Sequence, residues 1–339
     1  MTENTPESNT PPATEPAGSD EQLARASQLA QRMRLEIGKA MVGQREVIDE
    51  VLIALFAAGH VLIEGVPGLG KTLLVQALAK TFDGSFARIQ FTPDLMPSDV
   101  TGHVIYDMKS ERFNVRQGPV FTNLLLADEI NRAPAKTQSA LLEVMQEQQV
   151  TIEGQAMPVP RPFMTLATQN PIEQEGTYPL PEAQLDRFLF KVQIDYPSET
   201  EEQDMVASVT GGTIANTLDV SAIQTLVKPD AIQTLQRLTA KVRVDRQVND
   251  YAVRITRSTR DWQGISVGAG PRGGISLIRA ARAAALLAGR DFVTPDDIKK
   301  VARPALRHRI ALSPELELEG RTPDQVLDAL IDRVDAPRT

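Results

Sequence analysis

The sequence lacks cysteine altogether and contains only three histidines among its 339 residues. Without cysteine, the chain forms no disulfide, no thiolate metal site and no cysteine nucleophile. The histidines, His60, His103 and His308, lie far apart in the chain and show none of the spacings that are typical of metal ligands. These absences exclude a disulfide-stabilised fold and speak against a zinc centre.

Long apolar runs and an excess of basic residues are also missing. The longest uncharged apolar stretch, residues 51–59, is too short to cross a bilayer, and the first residues lack the basic start and apolar run of a signal peptide. The sequence has 36 Lys and Arg residues and 44 Asp and Glu residues. The resulting net charge of −8 disfavours nucleic-acid binding as the main function. We therefore expect a cytoplasmic globular protein with no membrane insertion and no nucleic-acid partner.

Three regions differ in composition and pattern. Residues 1–20 carry four acidic residues but no basic or aromatic residue, and are predicted to be disordered. Strands alternate with helices over residues 21–196, which predicts an α/β domain with a parallel sheet and helices on both faces. The strand signal then fades, and the Thr-Pro-Asp helix starts at Thr294 and Thr322 predict a smaller all-helical domain over residues 197–339.

Hydrophobic periodicity locates the main elements. Loose alternation within residues 92–121 and around Gly154 predicts two antiparallel hairpins. The strands of the parallel sheet are predicted at residues 60–64, 86–91, 124–128, 163–168 and 188–194. The predicted helices include one that starts near Glu21 and others over residues 45–58, 71–82 and 275–288.

Residues 65–72 read Gly-Val-Pro-Gly-Leu-Gly-Lys-Thr and match the P-loop pattern, between a predicted strand and a predicted helix. Glycines let successive backbone N–H groups face a phosphate, while the following helix points its positive end there. Lys71 adds a cation on the β- and γ-phosphates, and the Thr72 hydroxyl can ligate Mg²⁺. A plain glycine-rich turn is the alternative. The pattern favours nucleotide binding by Gly65, Val66, Pro67, Gly68, Leu69, Gly70, Lys71, Thr72 and Leu73.

Two acids, Asp128 and Glu129, end the apolar strand that begins at Leu124. Ligands bind beyond the carboxyl ends of parallel strands, so both acids are expected to face the P-loop. Asp128 is placed to hold Mg²⁺, directly or through water, and Glu129 to polarise the attacking water as a general base. The pair could instead cap the next helix. Asn170 ends another apolar strand and can orient that water or contact the γ-phosphate, or it is a turn residue before Pro171.

The P-loop, the acidic pair and Asn170, in this order and followed by helices, resemble an AAA+ ATPase. Longer blocks resemble the MoxR family. They are residues 127–134 (Ala-Asp-Glu-Ile-Asn-Arg-Ala-Pro), 167–171, 181–188 and 294–297. The likeness covers about residues 21–333. The resemblance implies a sheet with strand order 5-1-4-3-2 and a hexameric ring with ATP between neighbours. It also implies a chaperone-like remodeller whose partners are often proteins with a von Willebrand factor A domain.

The resemblance further implies roles for individual residues. Asn170 matches the sensor 1 residue, and Arg187 matches the arginine finger, which reaches the γ-phosphate of the next subunit. Arg272 matches sensor 2 and is expected to precede a helix and to reach the γ-phosphate in its own subunit. Val42 and Gly43 match a segment that borders adenine.

Several arginines also have simpler interpretations. Arg187 could form a structural ion pair with a carboxylate such as Asp186, and Arg272 could be a solvated loop residue. Three more share one helical face and are best interpreted as solvated rather than as an interface: Arg254, Arg257 and Arg260.

Three functions compete for this sequence. The leading one is a ring ATPase that uses ATP and Mg²⁺ to remodel a protein partner. If the resemblance holds, the two predicted hairpins face the ring axis; otherwise they are surface loops without a role. A DNA-directed AAA+ motor is disfavoured by the acidic charge and the lack of a basic tract. A small-molecule P-loop kinase leaves Glu129, Arg187 and the helical region without a role. The acidic pair therefore favours hydrolysis.

Overall fold

The computed structural model describes residues 19–41, 43–66, 68–170, 176–210 and 220–337. Three sequence predictions lie wholly or partly outside the described residues. They are the tail over residues 1–20, of which only the last two are described, and the site residues Val42 and Pro67.

Strands form where β-branched, aromatic and leucine side chains cluster in short runs. In chain order they are β1 Val61–Glu64, β2 Phe86–Gln90, β3 Gly102–Asp107, β4 Arg112–Gln117, β5 Leu124–Asp128, β6 Gln149–Ile152, β7 Gln155–Pro158, β8 Met164–Gln169, β9 Phe190–Gln193, β10 Ile265–Val267 and β11 Ala311–Leu312. The helices are α1 Ser19–Gly38, α2 Arg45–Phe56, α3 Lys71–Thr81, α4 Pro97–Thr101, α5 Ala135–Glu147, α6 Glu182–Leu185, α7 Glu199–Thr210, α8 Pro229–Lys241, α9 Arg246–Asp261, α10 Pro271–Leu287, α11 Pro295–Leu306, α12 Pro314–Leu318 and α13 Pro323–Arg333.

Five strands form one parallel sheet in the order β2-β5-β8-β1-β9. Counted among themselves in chain order, they run 5-1-4-3-2, which confirms the order that the resemblance implied. Successive side chains of a strand point to opposite faces, so Leu124 and Leu126 enter one core while Leu125 and Ala127 enter the other. Helices cover both faces, which is why these strands are continuous apolar runs in the sequence.

The helical C-terminal part, here called the lid, shares a core with α1, α2 and α3. Its helix α10 packs against α1 and α2, and α11 packs against the edge strand β9. The lid therefore rests on the side of the sheet that β9, α1 and α2 form. The second core lies beneath α5 and the two hairpins. Over the residues that the structure describes, no helix is long and apolar enough to span a membrane.

The lid differs from the sequence prediction in two details. Helix α10 begins at Pro271 rather than at residue 275, because proline at the first position already has a helical φ; Arg272 thus lies in its first turn. A short antiparallel pair, β10 with β11, accompanies the lid helices. Strands of three and two residues are too short for periodicity to indicate them. The helix starts at Thr294 and Thr322 are confirmed, each with a capping box.

Both predicted hairpins are present. One pairs β3 with β4 and the other pairs β6 with β7. The second closes through Glu153 and Gly154, whose φ angles of 48° and 77° suit a two-residue hairpin turn. Each hairpin extends from the face of the sheet that α5 covers.

The buried carboxyl group of Glu50 should make the stability of the protein depend on pH. This carboxyl on α2 lies in a cavity of about 330 Å³ between α2 and α11, and burial raises its pKa to about 8, with Arg307 partly opposing. In the unfolded chain the carboxyl ionises near pH 4.5, so between these values the folded protein binds more protons and stability falls as pH rises. From pH 7 to 8.5 we expect a loss of about 1 kcal/mol that Glu50→Gln abolishes.

Urea unfolding at the two pH values measures this effect. Glu143 supplies the control, because it is exposed on α5, which covers the other core, and Glu143→Gln should keep the wild-type pH dependence. His60 and His308 do not interfere, because burial lowers their pKa and they protonate only in the unfolded chain below about pH 7. An unchanged fall in stability in Glu50→Gln would contradict the assignment.

Candidate functional site

The P-loop connects the carboxyl end of β1 to the first turn of α3. Gly65 is buried where a Cβ atom would come within 2.7 Å of the Ile194 carbonyl oxygen, so only glycine fits beside the segment that follows β9. Gly68 and Gly70 have φ angles of 88° and 75°, a region that favours glycine. Gly70 caps α3 without a side-chain acceptor, which leaves the N–H groups of the first turn available to an anion.

Lys71 lies at the centre of this loop. Its Nζ donates a hydrogen bond to the Gly65 carbonyl. Burial lowers the pKa of Lys71, while the nearby carboxylates of Asp128, Glu129 and Glu64 oppose that shift. The amine therefore lies among the acids that the sequence predicted to face the P-loop. Thr72 and Leu73 follow in the same turn and are half-buried.

Asp128 is held through both carboxylate oxygens. The Thr168 hydroxyl at the end of β8 donates to Oδ1 at 2.7 Å. Arg88 on β2 donates to Oδ2 through Nε at 3.0 Å and Nη2 at 2.6 Å. Neither Thr168 nor Arg88 was identified as a site residue from the sequence. A signal was available for Arg88, because Arg88 and Gln90 are two residues apart on β2 and therefore lie on the same face of the strand next to β5.

Glu129 is held beside it. Its backbone is left-handed, with φ 55° and ψ 50°, and its N–H donates to the Thr168 hydroxyl at 2.9 Å. Its Oε2 accepts from Gln90 Nε2 at 2.7 Å and from Arg132 Nη1 at 3.1 Å. Its side chain makes no capping hydrogen bond to the short helix that follows. The capping alternative therefore does not describe this glutamate.

Asn170 and Met41 lie near the P-loop, whereas Gly43 lies against Glu201 on α7. Asn170 follows β8, which pairs with β1 through Glu64 and Gln169, so it lies buried at the same edge of the sheet. A Cβ atom on Gly70 would contact Met41 Sδ at 3.3 Å, which places the segment before Gly43 against the P-loop. The role of Gly43 beside adenine stays a prediction.

Arg187 and Arg272 lie at the opposite edge of the sheet. Both line a cavity of about 420 Å³ together with Gly59 and His60, which precede β1. The P-loop follows β1, so the length of this strand, about 13 Å, separates the two arginines from it. The structure does not place Arg272 at the P-loop of its own chain, contrary to the expectation from the sequence.

Asp186 pairs with the lid and not with Arg187. Arg309 Nε donates to Asp186 Oδ1 at 2.7 Å, and Arg272 Nη1 lies 3.7 Å from Oδ2. Arg187 Nη1 instead donates to the Leu142 carbonyl at 2.8 Å. The alternative of an Arg187–Asp186 ion pair is therefore wrong. Arg272 lies in the first turn of α10 rather than in a loop, but its side chain is 57% exposed, as the solvated alternative expected.

The trio of lid arginines is exposed, as expected. Arg254 donates to the Asp335 carbonyl and Arg260 to the Ala269 carbonyl, each at 3.0 Å, and Arg257 lies between them on the same surface. These contacts stay within the lid. They fit the interpretation of a solvated face.

A P-loop at a helix start, an acidic strand end beside it and a helical lid define a P-loop nucleotide-binding protein. Residues 60–190 match the family described as "ATPase family associated with various cellular activities (AAA)", and residues 257–330 match the "AAA lid domain". "Chaperone MoxR1" of Mycobacterium tuberculosis is 43% identical over 95% of this chain and 86% of that protein. The chain therefore belongs to the MoxR family of AAA+ ATPases.

Two further comparisons agree with this assignment. The protein YeaC of Bacillus subtilis is 48% identical over 89% of this chain and 92% of its own length. A crystal structure from Cytophaga hutchinsonii has a TM-score of 0.86 and 42% sequence identity, and the match covers 94% of this chain and 98% of that one. The fold and the lid are thus shared with these relatives over nearly the whole chain.

Replacing Lys71 tests the P-loop. Lys71→Ala removes the cation inside the loop and should lower ATP affinity at least tenfold, because a charge-assisted contact of about 1.4 kcal/mol is lost. Lys80→Ala, at the other end of α3, is the matched control and should bind as the wild type does. Calorimetric titration with ATP measures both variants. Wild-type affinity in Lys71→Ala would mean that the loop is not a phosphate site.

Proposed function

We propose that this chain hydrolyses Mg²⁺-ATP in a ring of identical subunits and uses the reaction to remodel a partner protein. The observation that carries the proposal is the division of the site. The P-loop, Asp128 and Glu129 meet at one edge of the sheet, whereas Arg187 and Arg272 meet at the other.

The residues at the carboxyl edge fit a magnesium nucleotide. Mg²⁺ prefers hard oxygen ligands and is usually held by one or two carboxylates plus substrate phosphates. Thr72 and Asp128 supply such oxygens, and the described residues contain no cluster of three or more acidic or histidine side chains that would hold a metal alone. When bound, the ion neutralises charge on the phosphates. The backbone N–H groups of residues 68–73 and the Lys71 amine would hold the phosphates themselves.

Glu129 is the proposed general base, with Asn170 orienting the attacking water. Both ends of the Glu129 side chain are constrained, because Gln90 and Arg132 donate to Oε2 and Thr168 holds the backbone. These hydrogen bonds hold the carboxylate in position beside the P-loop, where the attacking water would lie.

Arg187 and Arg272 are proposed to act on the nucleotide of a neighbouring subunit. Each is separated from the P-loop of its own chain by the length of β1, so a head-to-tail contact is needed to bring them to a γ-phosphate. Heterologous contacts of this kind close into a ring when the rotation between neighbours divides a full turn evenly. We propose a hexamer, as the resemblance implies, in which both arginines stabilise charge on the transferred phosphoryl group.

The partner is proposed to be a protein with a von Willebrand factor A domain, encountered in the cytoplasm. The name "Chaperone MoxR1" of one relative supports a protein client. The β3–β4 hairpin supports it too, because its cross-strand pairs place Val104, Tyr106, Phe113 and Val115 on one face. Tyr106 and Phe113 are 51% and 75% exposed, and such apolar faces commonly mark protein contacts.

The division into domains remains a proposal as well. We assign residues 1–20 to an acidic tail, residues 21–196 to the nucleotide-binding domain and residues 197–339 to the lid. The two family matches support this, since one falls within each of the larger regions.

Variants of the acidic pair test the function. Glu129→Gln keeps shape and hydrogen bonding but loses the base, so it should bind ATP normally and hydrolyse it orders of magnitude more slowly. Asp128→Ala should instead weaken Mg²⁺-dependent binding. Phosphate release and nucleotide titration separate the two effects. Unchanged turnover in Glu129→Gln would remove the proposed base.

The same variant tests the client. Glu129→Gln with ATP should retain a von Willebrand factor A domain protein in a pull-down, whereas the same chain with ADP should release it. Adding Phe113→Ser to Glu129→Gln should abolish retention without changing ATP binding. Retention that is independent of both nucleotide and Phe113 would contradict the proposed client contact.

A further inference from the structure

The ion pair between Arg88 and Asp128 involves a single carboxylate oxygen. Two guanidinium nitrogens, Nε and Nη2, donate to the same oxygen, Oδ2, at 3.0 and 2.6 Å. The other oxygen, Oδ1, already accepts from Thr168. A carboxylate oxygen has about two lone-pair sites, so Arg88 occupies both sites of Oδ2.

Strand β2 thus contacts both acids of the site from one face. Arg88 and Gln90 are two residues apart and so point the same way. Arg88 binds Asp128, whereas Gln90 binds Glu129. Because β2 is an edge strand of the sheet, Arg88 is half exposed while Asp128 is largely covered.

The charges explain why a cation is needed at this position. Asp128, Glu129 and Glu64 all lie close enough to Lys71 to raise its pKa against the effect of burial. Three carboxylates at one edge repel one another unless cations compensate them. Lys191 pairs with Glu64 at 2.9 Å, and Arg132 pairs with Glu129 at 3.1 Å. Arg88 supplies a positive charge at Asp128, where Mg²⁺ would supply one.

We propose that Arg88 is a positioning residue that occupies Oδ2 of Asp128 in place of a metal cation and is displaced when Mg²⁺ binds. Arg88 thereby sets the Mg²⁺ concentration at which nucleotide binds. The inference rests on the proposed Mg²⁺-ATP site. Because partly exposed ion pairs contribute little, the competition is weak, on the order of two- to fivefold in Mg²⁺ affinity.

A magnesium titration of nucleotide binding tests the proposal. The full-length chain is mixed with a fluorescent ATP analogue in chelator, and free Mg²⁺ is then raised stepwise. Arg88→Met keeps the apolar stem but removes the guanidinium. We expect its half-saturating Mg²⁺ concentration to be about two- to fivefold lower than that of the wild type. Arg88→Lys, with a single donor group, should fall between the two and serves as a second variant.

Arg243 provides a matched control. It donates to Asp291 Oδ2 through Nε at 3.2 Å and Nη2 at 2.6 Å, the same geometry at a site in the lid. Arg243→Met should therefore leave the Mg²⁺ requirement unchanged. In an Asp128→Asn background, Arg88→Met should no longer lower it, because the contested carboxylate is gone. Binding of Mn²⁺ without nucleotide, followed by electron paramagnetic resonance, should show the same order of affinities.

The titration distinguishes failure of the Arg88 proposal from failure of the proposed Mg²⁺-ATP site. An Mg²⁺ requirement in Arg88→Met that equals that of Arg243→Met, or exceeds that of the wild type, would overturn the proposal; the second result would mean that Arg88 supports the metal site. If the wild type binds nucleotide without any dependence on Mg²⁺, the proposed Mg²⁺-ATP site itself fails, independently of Arg88.

Discussion

All five strands of the central sheet run in the same direction, and the arrangement of functional groups follows from that constraint. The carboxyl ends of β1, β5 and β8 meet at one edge, which collects the P-loop, the acidic pair and Asn170. The amino end of β1 lies at the other edge, where Arg187 and Arg272 line a shared cavity. Parallel pairing thus gathers phosphate-binding groups at one edge and separates them from these arginines by a full strand length.

The position of the lid completes this division. Arg309 joins it to Asp186, Arg307 donates to the Lys191 carbonyl on β9, and Arg279 donates to the Ala57 carbonyl at the end of α2. These buried or half-buried contacts fix α10 beside the sheet and bring Arg272 next to the turn that carries Arg187. A movement of the lid relative to β9 would therefore shift Asp186, which directly precedes the proposed arginine finger, Arg187.

The sequence predicted the parts of this protein that depend on local pattern. Apolar runs located all five sheet strands to within about two residues. The P-loop pattern was found because its positions require glycine, at Gly68 and Gly70 for a positive φ and at Gly65 for close contact with Ile194. Arg88, Gln90 and Thr168 were missed as site residues because their role depends on which strands are neighbours, and strand order came only from the resemblance. The placement of Arg272 was missed for a similar reason: the packing of α10 on α2 is a tertiary contact that no periodicity reveals.

The central claim is that one ATP site takes Glu129 from one chain and Arg187 from another. Mixing Arg187→Ala protein with Glu129→Gln protein tests it most directly, once each variant is shown to assemble. Each should be nearly inactive alone. After free exchange at equal amounts, about a quarter of head-to-tail interfaces pair an intact Glu129 with an intact Arg187, so ATPase activity should return to about a quarter of the wild-type value if sites act independently. Full activity of Arg187→Ala alone, or mixed rings without any recovered turnover, would contradict the shared site.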